Sequence, residues 1–394
     1  MRGAPEKVDR GAKNRRRGRC AGPRRRGVPF PTNVRGVRVS VRRFLYPESA
    51  GTLALYGGLF GAVAVLLTRL GNPAGTGLCA SCFLVNVAGA LHLHAKESQS
   101  YLRPEILGIV LGAFFAAFAG REFRARGGGS AIPRFIGGAF LIFGCEVFLG
   151  CPIKALLRTA GGGAAGAIGL AGLVAGVLFA ALYVRDGFSL PEARQLPEGA
   201  GLALPTAAFL LLLAGATGAE AVAASGFPAG ARHAPFALSA AAGLFFGAAG
   251  QRSRFCVTGS VRTAFLTRDF REAAGTVSFL LAALLLAAVT GSFSPTLSLE
   301  PGAHTDLFWA FLSLAMVGFG AILIGGCPFR QLVLASSGEM DAAAAVVGML
   351  LAAGLSVRLG IGSSPAGVTG AGKAAVLLGF AFFLLLAAWK RKRA

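Results

Sequence analysis

The chain has 394 residues, 54% of them hydrophobic and only 14% charged, yet its formal net charge is +22. A soluble domain of this length needs far more polar surface, so the composition excludes a water-soluble globular protein and points to an all-α polytopic membrane protein. The 58 glycines agree, because small residues let membrane helices pack closely.

Residues 1–43 hold fifteen Lys and Arg, including Arg15, Arg16, Arg17, Arg24, Arg25 and Arg26, against Glu6 and Asp9. No aromatic interleaving or folded recognition motif accompanies the arginines, so no nucleic-acid partner is expected. The stretch reads as a disordered basic cytoplasmic extension, or as a gene start set too early, with the true start near Val37 or Val39. No short apolar core with a cleavage site follows it, which argues against a secretory signal.

A bilayer crossing takes about 20 apolar residues. Crossings are expected near 51–70, 105–120, 134–149, 164–184, 203–220, 236–250, 274–290, 308–325, 341–358 and 374–389. Between them lie four pieces too short to cross, at 77–91, 151–159, 254–266 and 327–336. All four carry cysteine. Short apolar pieces of this kind read as re-entrant helices, tolerated at membrane depth where protein or a water-filled cavity satisfies their backbone.

Basic residues set the orientation. Arg121, Arg124, Arg126 and Arg134, then Arg268 and Arg271, then Lys390 to Arg393 all fall on the cytoplasmic side if the basic N-terminus is inside and there are ten spans. The loop 291–306, without Lys or Arg, falls outside. Both termini are therefore expected in the cytoplasm.

The order span, cysteine segment, span, span, Gly-Cys-Pro segment, span occurs in residues 51–184 and again in 236–358. One crossing at 203–220 separates the copies and inverts the second, and a final helix and basic tail occupy 374–394. This is the pattern of an inverted-topology repeat, which places a substrate path near mid-membrane between the copies. Cys79, Cys82 and Cys151 then approach from outside, and Cys256 and Cys327 from inside.

The repeated Gly-Cys-Pro is the most informative motif. Pro152 and Pro328 suit the first turn of a helix, which makes Cys151 and Cys327 cap residues beside free N–H groups and the positive end of a helix dipole. A cation follows three residues later, Lys154 or Arg330. A thiol, a helix N-terminus and a cation together suit a soft anion. Cys79-Ala80-Ser81-Cys82 follows a breaker-rich turn beginning Gly71-Asn72-Pro73, and as a pair of thiols it suits packing about as well as function. In the second copy, Arg252 and Arg254 precede Cys256, and membrane-edge arginines of this kind are expected to face a polar cavity or the cytoplasmic rim. Cys145 and Glu146 stand within two turns of Cys151, and Glu146 is expected to pair with Lys154 or Arg158, the alternative being a proton-coupling carboxylate. Arg158 has Leu334 as its second-copy counterpart, so the copies differ there. His92 and His94 read as interfacial polar residues rather than metal ligands. Nothing resembles a nucleotide loop, a nucleophile elbow or a zinc signature, and no metal or cofactor is expected. Of the seven cysteines, Cys20 lies in the basic extension and the rest in or beside apolar segments, unlike an extracellular disulfide framework.

Taken together, the stretch Gly71 to Phe83, the two Gly-Cys-Pro segments at 150–158 and 326–334, and Gln251-Arg252-Ser253-Arg254-Phe255-Cys256 resemble the YeeE/YedE family of sulfur-compound transporters, most closely its selenium-transporter branch. The resemblance covers about residues 50–390. It implies uptake of thiosulfate or a selenium analogue past cysteines that touch it in turn, here Cys79 or Cys82, Cys151, Cys256 and Cys327. Two departures stand out. Leu84-Val85-Asn86 replaces an expected Arg-Asp pair, and Lys154 replaces an expected Arg, keeping the charge but losing the forked geometry.

The expected function is a bacterial inner-membrane transporter rather than an enzyme. Its partners are a sulfur- or selenium-containing anion, the lipid bilayer and a small cytoplasmic sulfur- or selenium-acceptor protein. The competing reading is a membrane thiol enzyme that passes the chalcogen to such an acceptor through a persulfide-type intermediate. A soft-cation channel fits less well, because the flanking Lys and Arg repel cations.

Overall fold

The computed structural model describes residues 49–217, 232–295 and 302–391. The basic extension, residues 218–220 of the expected fifth crossing, part of the loop 291–306 and the last three residues of the tail lie outside the described residues.

The fold is all-α: among the described residues 72% are helical, and the sheet is one antiparallel pair of two-residue strands, Arg126–Gly127 against Arg194–Gln195. The first half contains α1 (Ala50–Arg69), α2 (Ala80–Ala90), α3 (Pro104–Ala119), α4 (Ala131–Phe148), α5 (Pro152–Ala160) and α6 (Ala164–Arg185). After α7 (Ala203–Thr217) come α8 (Phe236–Ser253), α9 (Val257–Thr267), α10 (Arg271–Val289), α11 (Leu307–Ile324), α12 (Pro328–Ser336), α13 (Met340–Arg358) and α14 (Gly370–Arg391).

Local chemistry sets many of the boundaries. Ser49 caps α1 by accepting from Thr52 N at 3.2 Å, and Asp306 caps α11 by accepting from Trp309 N at 3.4 Å. Proline opens α3, α5 and α12, where its missing N–H has no helical partner to lose. Breaks in the backbone separate α4 from α5 and α11 from α12 in the same way. Leu149 and Gly325 adopt left-handed conformations, with φ of 61° and 97°. The following N–H groups, of Gly150 and Gly326, donate to Cys145 O and Ala321 O at 2.7 Å each.

Eight helical stretches among the described residues are long and apolar enough to cross a bilayer, so the chain has the make-up of a multi-pass membrane protein. They are α1, α3 with the turn before it, α4 running into α5, α6, α10, α11 running into α12, α13 and α14. Two of the ten expected crossings do not meet that measure. The described part of α7 is 15 residues long, and α8 ends in the polar run Gln251-Arg252-Ser253.

Helix packing follows a strict pattern. The main contacts of the first half against the second are α1 with α10, α3 with α8, α4 with α13, α6 with α11 and α4 with α11. Within and between halves, the short helices pack as α5 on α6 and α12 on α13, α2 on α13 and α9 on α6, α5 on α10 and α12 on α3. Glycine makes the long contacts close: a methyl group at Gly61 would lie on the Phe279 carbonyl, at Gly247 on that of Ile109, at Gly172 on that of Phe311 and at Gly348 on that of Phe135. Outward faces stay apolar. On α10, Leu281, Leu285 and Val289 recur every fourth residue and are 58%, 67% and 75% exposed, a stripe suited to lipid contact.

At one end of the bundle, Asp341 in the first turn of α13 gathers the start of α4. Its carboxylate accepts from the N–H groups of Gly128 (2.7 Å), Gly129 (3.2 Å) and Ser130 (3.0 Å) and from Ser130 Oγ (3.1 Å). Arg126 and Arg134 both pair with Glu339 beside it.

Candidate functional site

The four short helices carry the cysteines at their N-termini, and the same local device builds each half. Cys79 caps α2, its sulfur accepting from Cys82 N at 3.5 Å, and Cys256 caps α9, accepting from Gly259 N at 3.4 Å. Each thiol also meets a hydroxyl two residues on: Ser81 Oγ lies 3.4 Å from Cys79 Sγ, and Thr258 Oγ1 lies 3.2 Å from Cys256 Sγ. Cys151 and Cys327 cap α5 and α12, each followed by Pro at the first helical position.

Tertiary packing then brings the caps together in pairs. Cys151 N donates to Cys79 Sγ at 3.3 Å, and Cys256 Sγ lies 3.8 Å from Cys327 Sγ. Two helix N-termini thus converge on each thiol pair, and their free N–H groups and dipoles favour negative charge there. The first-half cluster adds Cys82, 3.1 Å from Cys79 Sγ, and Lys154, whose Nζ donates to Cys82 Sγ at 3.7 Å. Cys145, two turns before Cys151 on α4, is buried.

In the second half Cys256 opens on a cavity of about 250 Å³ lined also by Arg254, Thr258, Arg262, Glu272 and Arg330 and by Ala321, Ile322 and the Gly325-Gly326 turn. Three guanidinium groups against one carboxylate give this cavity a net positive lining, which favours negative charge. Arg254 is held at φ 53°, a left-handed conformation that costs an L-residue about 1 kcal/mol. Leu149, at φ 61°, stands in the same strained region two residues before Cys151.

Glu146 does not make the expected ion pair. Lys154 donates to Cys82, and Arg158 lies back over the break, donating to the carbonyls of Phe148 (3.0 Å), Leu149 (3.1 Å) and Gly302. The helix geometry explains this: four residues past Lys154, Arg158 reaches the carbonyls left unpaired where α4 ends. In the second half Gln331 serves the same end, donating to Ile324 O at 3.1 Å and Gly326 O at 3.3 Å. Glu146 itself is buried, forms no ion pair among the described residues, and its Oε1 has no hydrogen-bond partner.

Arg252 also lies apart from the cavity. It turns back onto the end of α3, where Nη2 donates to Ala116 O at 2.6 Å. His94 is a structural residue, with Nε2 3.0 Å from Val85 O and Nδ1 accepting from Lys96 N, while His92 is exposed. Among the described residues no group of three or more His, Cys, Asp and Glu is arranged to hold a metal ion.

Sequence reasoning missed a buried polar network on the other side of α2. Arg103 donates to Asn86 Oδ1 (2.7 Å), Asn72 Oδ1 (3.2 Å) and Arg232 O (2.8 Å), and its guanidinium lies over the Phe83 ring at 4.7 Å. Glu105 accepts from Asn72 (2.9 Å) and Ser239 (3.1 Å). It fixes the Gly71-Asn72-Pro73 turn that leads into Cys79. A signal was available: Glu105 and Glu272 each stand three residues before a packing glycine, Gly108 and Gly275, and Glu272 lines the second-half cavity.

No protein-family model matches the chain, and no curated protein matches it. The chemistry therefore rests on the residues themselves: two thiol pairs, each set between helix N-termini and beside a cation, with Cys256 of the second pair open to a basic cavity.

Proposed function

We propose that the chain is a carrier in the bacterial inner membrane that takes up thiosulfate or a selenium analogue along a path lined by Cys79 or Cys82, Cys151, Cys256 and Cys327. The observation that carries this reading is the doubled device: a capping thiol on one short helix meets a capping thiol on another, with Lys154 or Arg330 one turn on. Helix N-termini and cations attract the anion, and polarisable thiol sulfur prefers a sulfur or selenium terminus to the hard oxygens of sulfate. Cys151 lies within electrostatic range of Cys327, so the two pairs can serve as successive stations.

We infer further that α1–α6 and α8–α13 form an inverted-topology repeat with ten crossings, that α2, α5, α9 and α12 are re-entrant, and that both termini are cytoplasmic. Support comes from the packing. Exchanging α1 for α8, α2 for α9, and so on to α6 for α13, turns each of the main helix pairings into another that is present. Ten crossings require α7 to span the bilayer and α8 to hold Gln251 and Arg252 at the membrane edge. Membership of the YeeE/YedE family is part of the same proposal, carried by the four cysteine motifs.

Proteoliposomes containing the purified chain test the function. Thiosulfate or selenite should enter, sulfate should not, and a thiol-blocking reagent should stop entry. A second reading is favoured by one contact, the 3.1 Å approach of Cys79 and Cys82 beside Lys154. Such a pair suits a thiol enzyme that holds a sulfane sulfur or selenium for a small cytoplasmic acceptor protein. Substrate mass retained on a cysteine after denaturation would favour that enzyme over the carrier.

A further inference from the structure

The proposed relay of thiols leaves one buried group in the first half without a task. Glu146 is 8% exposed, and its Oε1 has neither a hydrogen-bond partner nor an ion pair. It stands five residues before Cys151, as Ile322 stands five before Cys327. Ile322 lines the second-half cavity, so at the position where the second half carries a hydrocarbon the first half carries a carboxyl. A carboxylate buried this way without a partner is costly, and an intramembrane carboxyl of this kind marks a proton site.

The ionisable groups within electrostatic reach of it are Cys82 on α2, Lys154 on α5 and Lys96. Cys145 is its neighbour in the chain, and His304 is held on Val147 O at 3.0 Å. Of the other described ionisable groups on helices packed against α4, Cys79 and Cys327 belong to the thiol pairs and the rest are engaged elsewhere or exposed. Helix α11 has no ionisable residue, and on α14 Lys373 lies over the Trp309 ring. On α13, Asp341 is taken up by residues 128–130 and Arg358 is exposed. On α12, Arg330 donates to Gly250 O at 3.4 Å.

We propose that Glu146 carries a proton inward with each anion, so that uptake is a proton symport, a mechanism that rests on the transport reading above. Lys154 is the link. While an anion occupies Lys154, a second negative charge on Glu146 is repelled and the carboxyl keeps its proton. Once the anion leaves, Lys154 turns from Cys82 Sγ to pair with Glu146, which then gives up the proton to the same side. One proton and one anion cross together, and the carboxylate returns paired with Lys154.

The test uses full-length protein in liposomes holding a pH-sensitive dye, with the membrane potential clamped and labelled thiosulfate or selenite outside. The internal pH should fall as label enters, and an inward gradient of one pH unit should raise accumulation about tenfold, the equivalent of one coupled proton. In Glu146→Gln the number of protons entering per anion should drop to zero, and in Glu146→Asp it should persist. Anion entry by the wild type without proton entry would overturn the symport while leaving transport standing. Proton entry retained in Glu146→Gln, or loss of all uptake in both variants, would overturn the assignment to Glu146. Failure of the wild type to take up either anion would instead remove the transport reading on which the symport rests.

Discussion

Cys327 is the residue on which the proposed relay can be tested most directly. Its side chain is buried, its sulfur meets Cys256 Sγ at 3.8 Å, and truncation to Ala leaves only a small gap worth about 1 kcal/mol. Cys327→Ala should therefore lower thiosulfate or selenite uptake at least tenfold while leaving the helical signal and melting temperature nearly unchanged. Uptake equal to wild type would count against a relay through that thiol. Arg252 gives the opposite expectation. Because it serves the Ala116 carbonyl, Arg252→Ala should lower the melting temperature without altering any preference for thiosulfate over sulfate. A changed preference would return Arg252 to the pathway. His304, in the segment before α11, supplies a pH signature. Burial pushes its imidazole below the ordinary value of 6.5, so the folded protein keeps it neutral while the unfolded chain takes up a proton as pH falls past 6.5. Stability should accordingly decline between pH 7 and pH 5.5, and this decline should flatten in His304→Gln. Parallel melting curves for the two proteins over that range would assign the decline elsewhere.

At the scale of elements, the close crossings depend on glycine. Gly247 faces the Ile109 backbone, so Gly247→Leu should force α8 from α3 and destabilise the protein in detergent by several degrees. The exposed position Leu285, changed to Ala, should shift melting far less. The helices themselves were legible in the sequence to within a few residues, because apolar length, Ser and Asp caps, first-turn prolines and glycine breaks are all local signals. The short helices were legible for the same reason, Pro152 and Pro328 marking two starts and Cys79 and Cys256 preceding the others. The α7 and α8 crossings were harder to judge. One has a described length of 15 residues, and the other dilutes its apolar run with Gln251 and Arg252, so neither carries the local signature of a complete span.

Across the whole molecule, the Arg103–Glu105 network joins the α1–α2 turn, α2, α3 and α8 through Asn72, Asn86 and Ser239. Removing one member of a buried, hydrogen-bonded charge pair costs about 3 kcal/mol or more, so Arg103→Ala should be severely destabilising, and Arg103→Ala with Glu105→Ala less than additive. Additive losses in a thermal-shift cycle would show that the two do not act as a pair. The sequence alone determined the class of protein, the helix order and the cap positions of the cysteines, since each depends on residues close together in the chain. The tertiary structure alone decided which thiols meet. Cys79 reaches Cys151 and Cys256 reaches Cys327 across separations of about 70 residues, along directions set by how four short helices lean on α3, α6, α10 and α13. The same packing turned Arg252 toward Ala116, bent Arg158 over the end of α4 and left Glu146 without the partner that sequence spacing had offered. A side chain finds its partner by direction as well as distance, and direction is fixed only when the helices are packed.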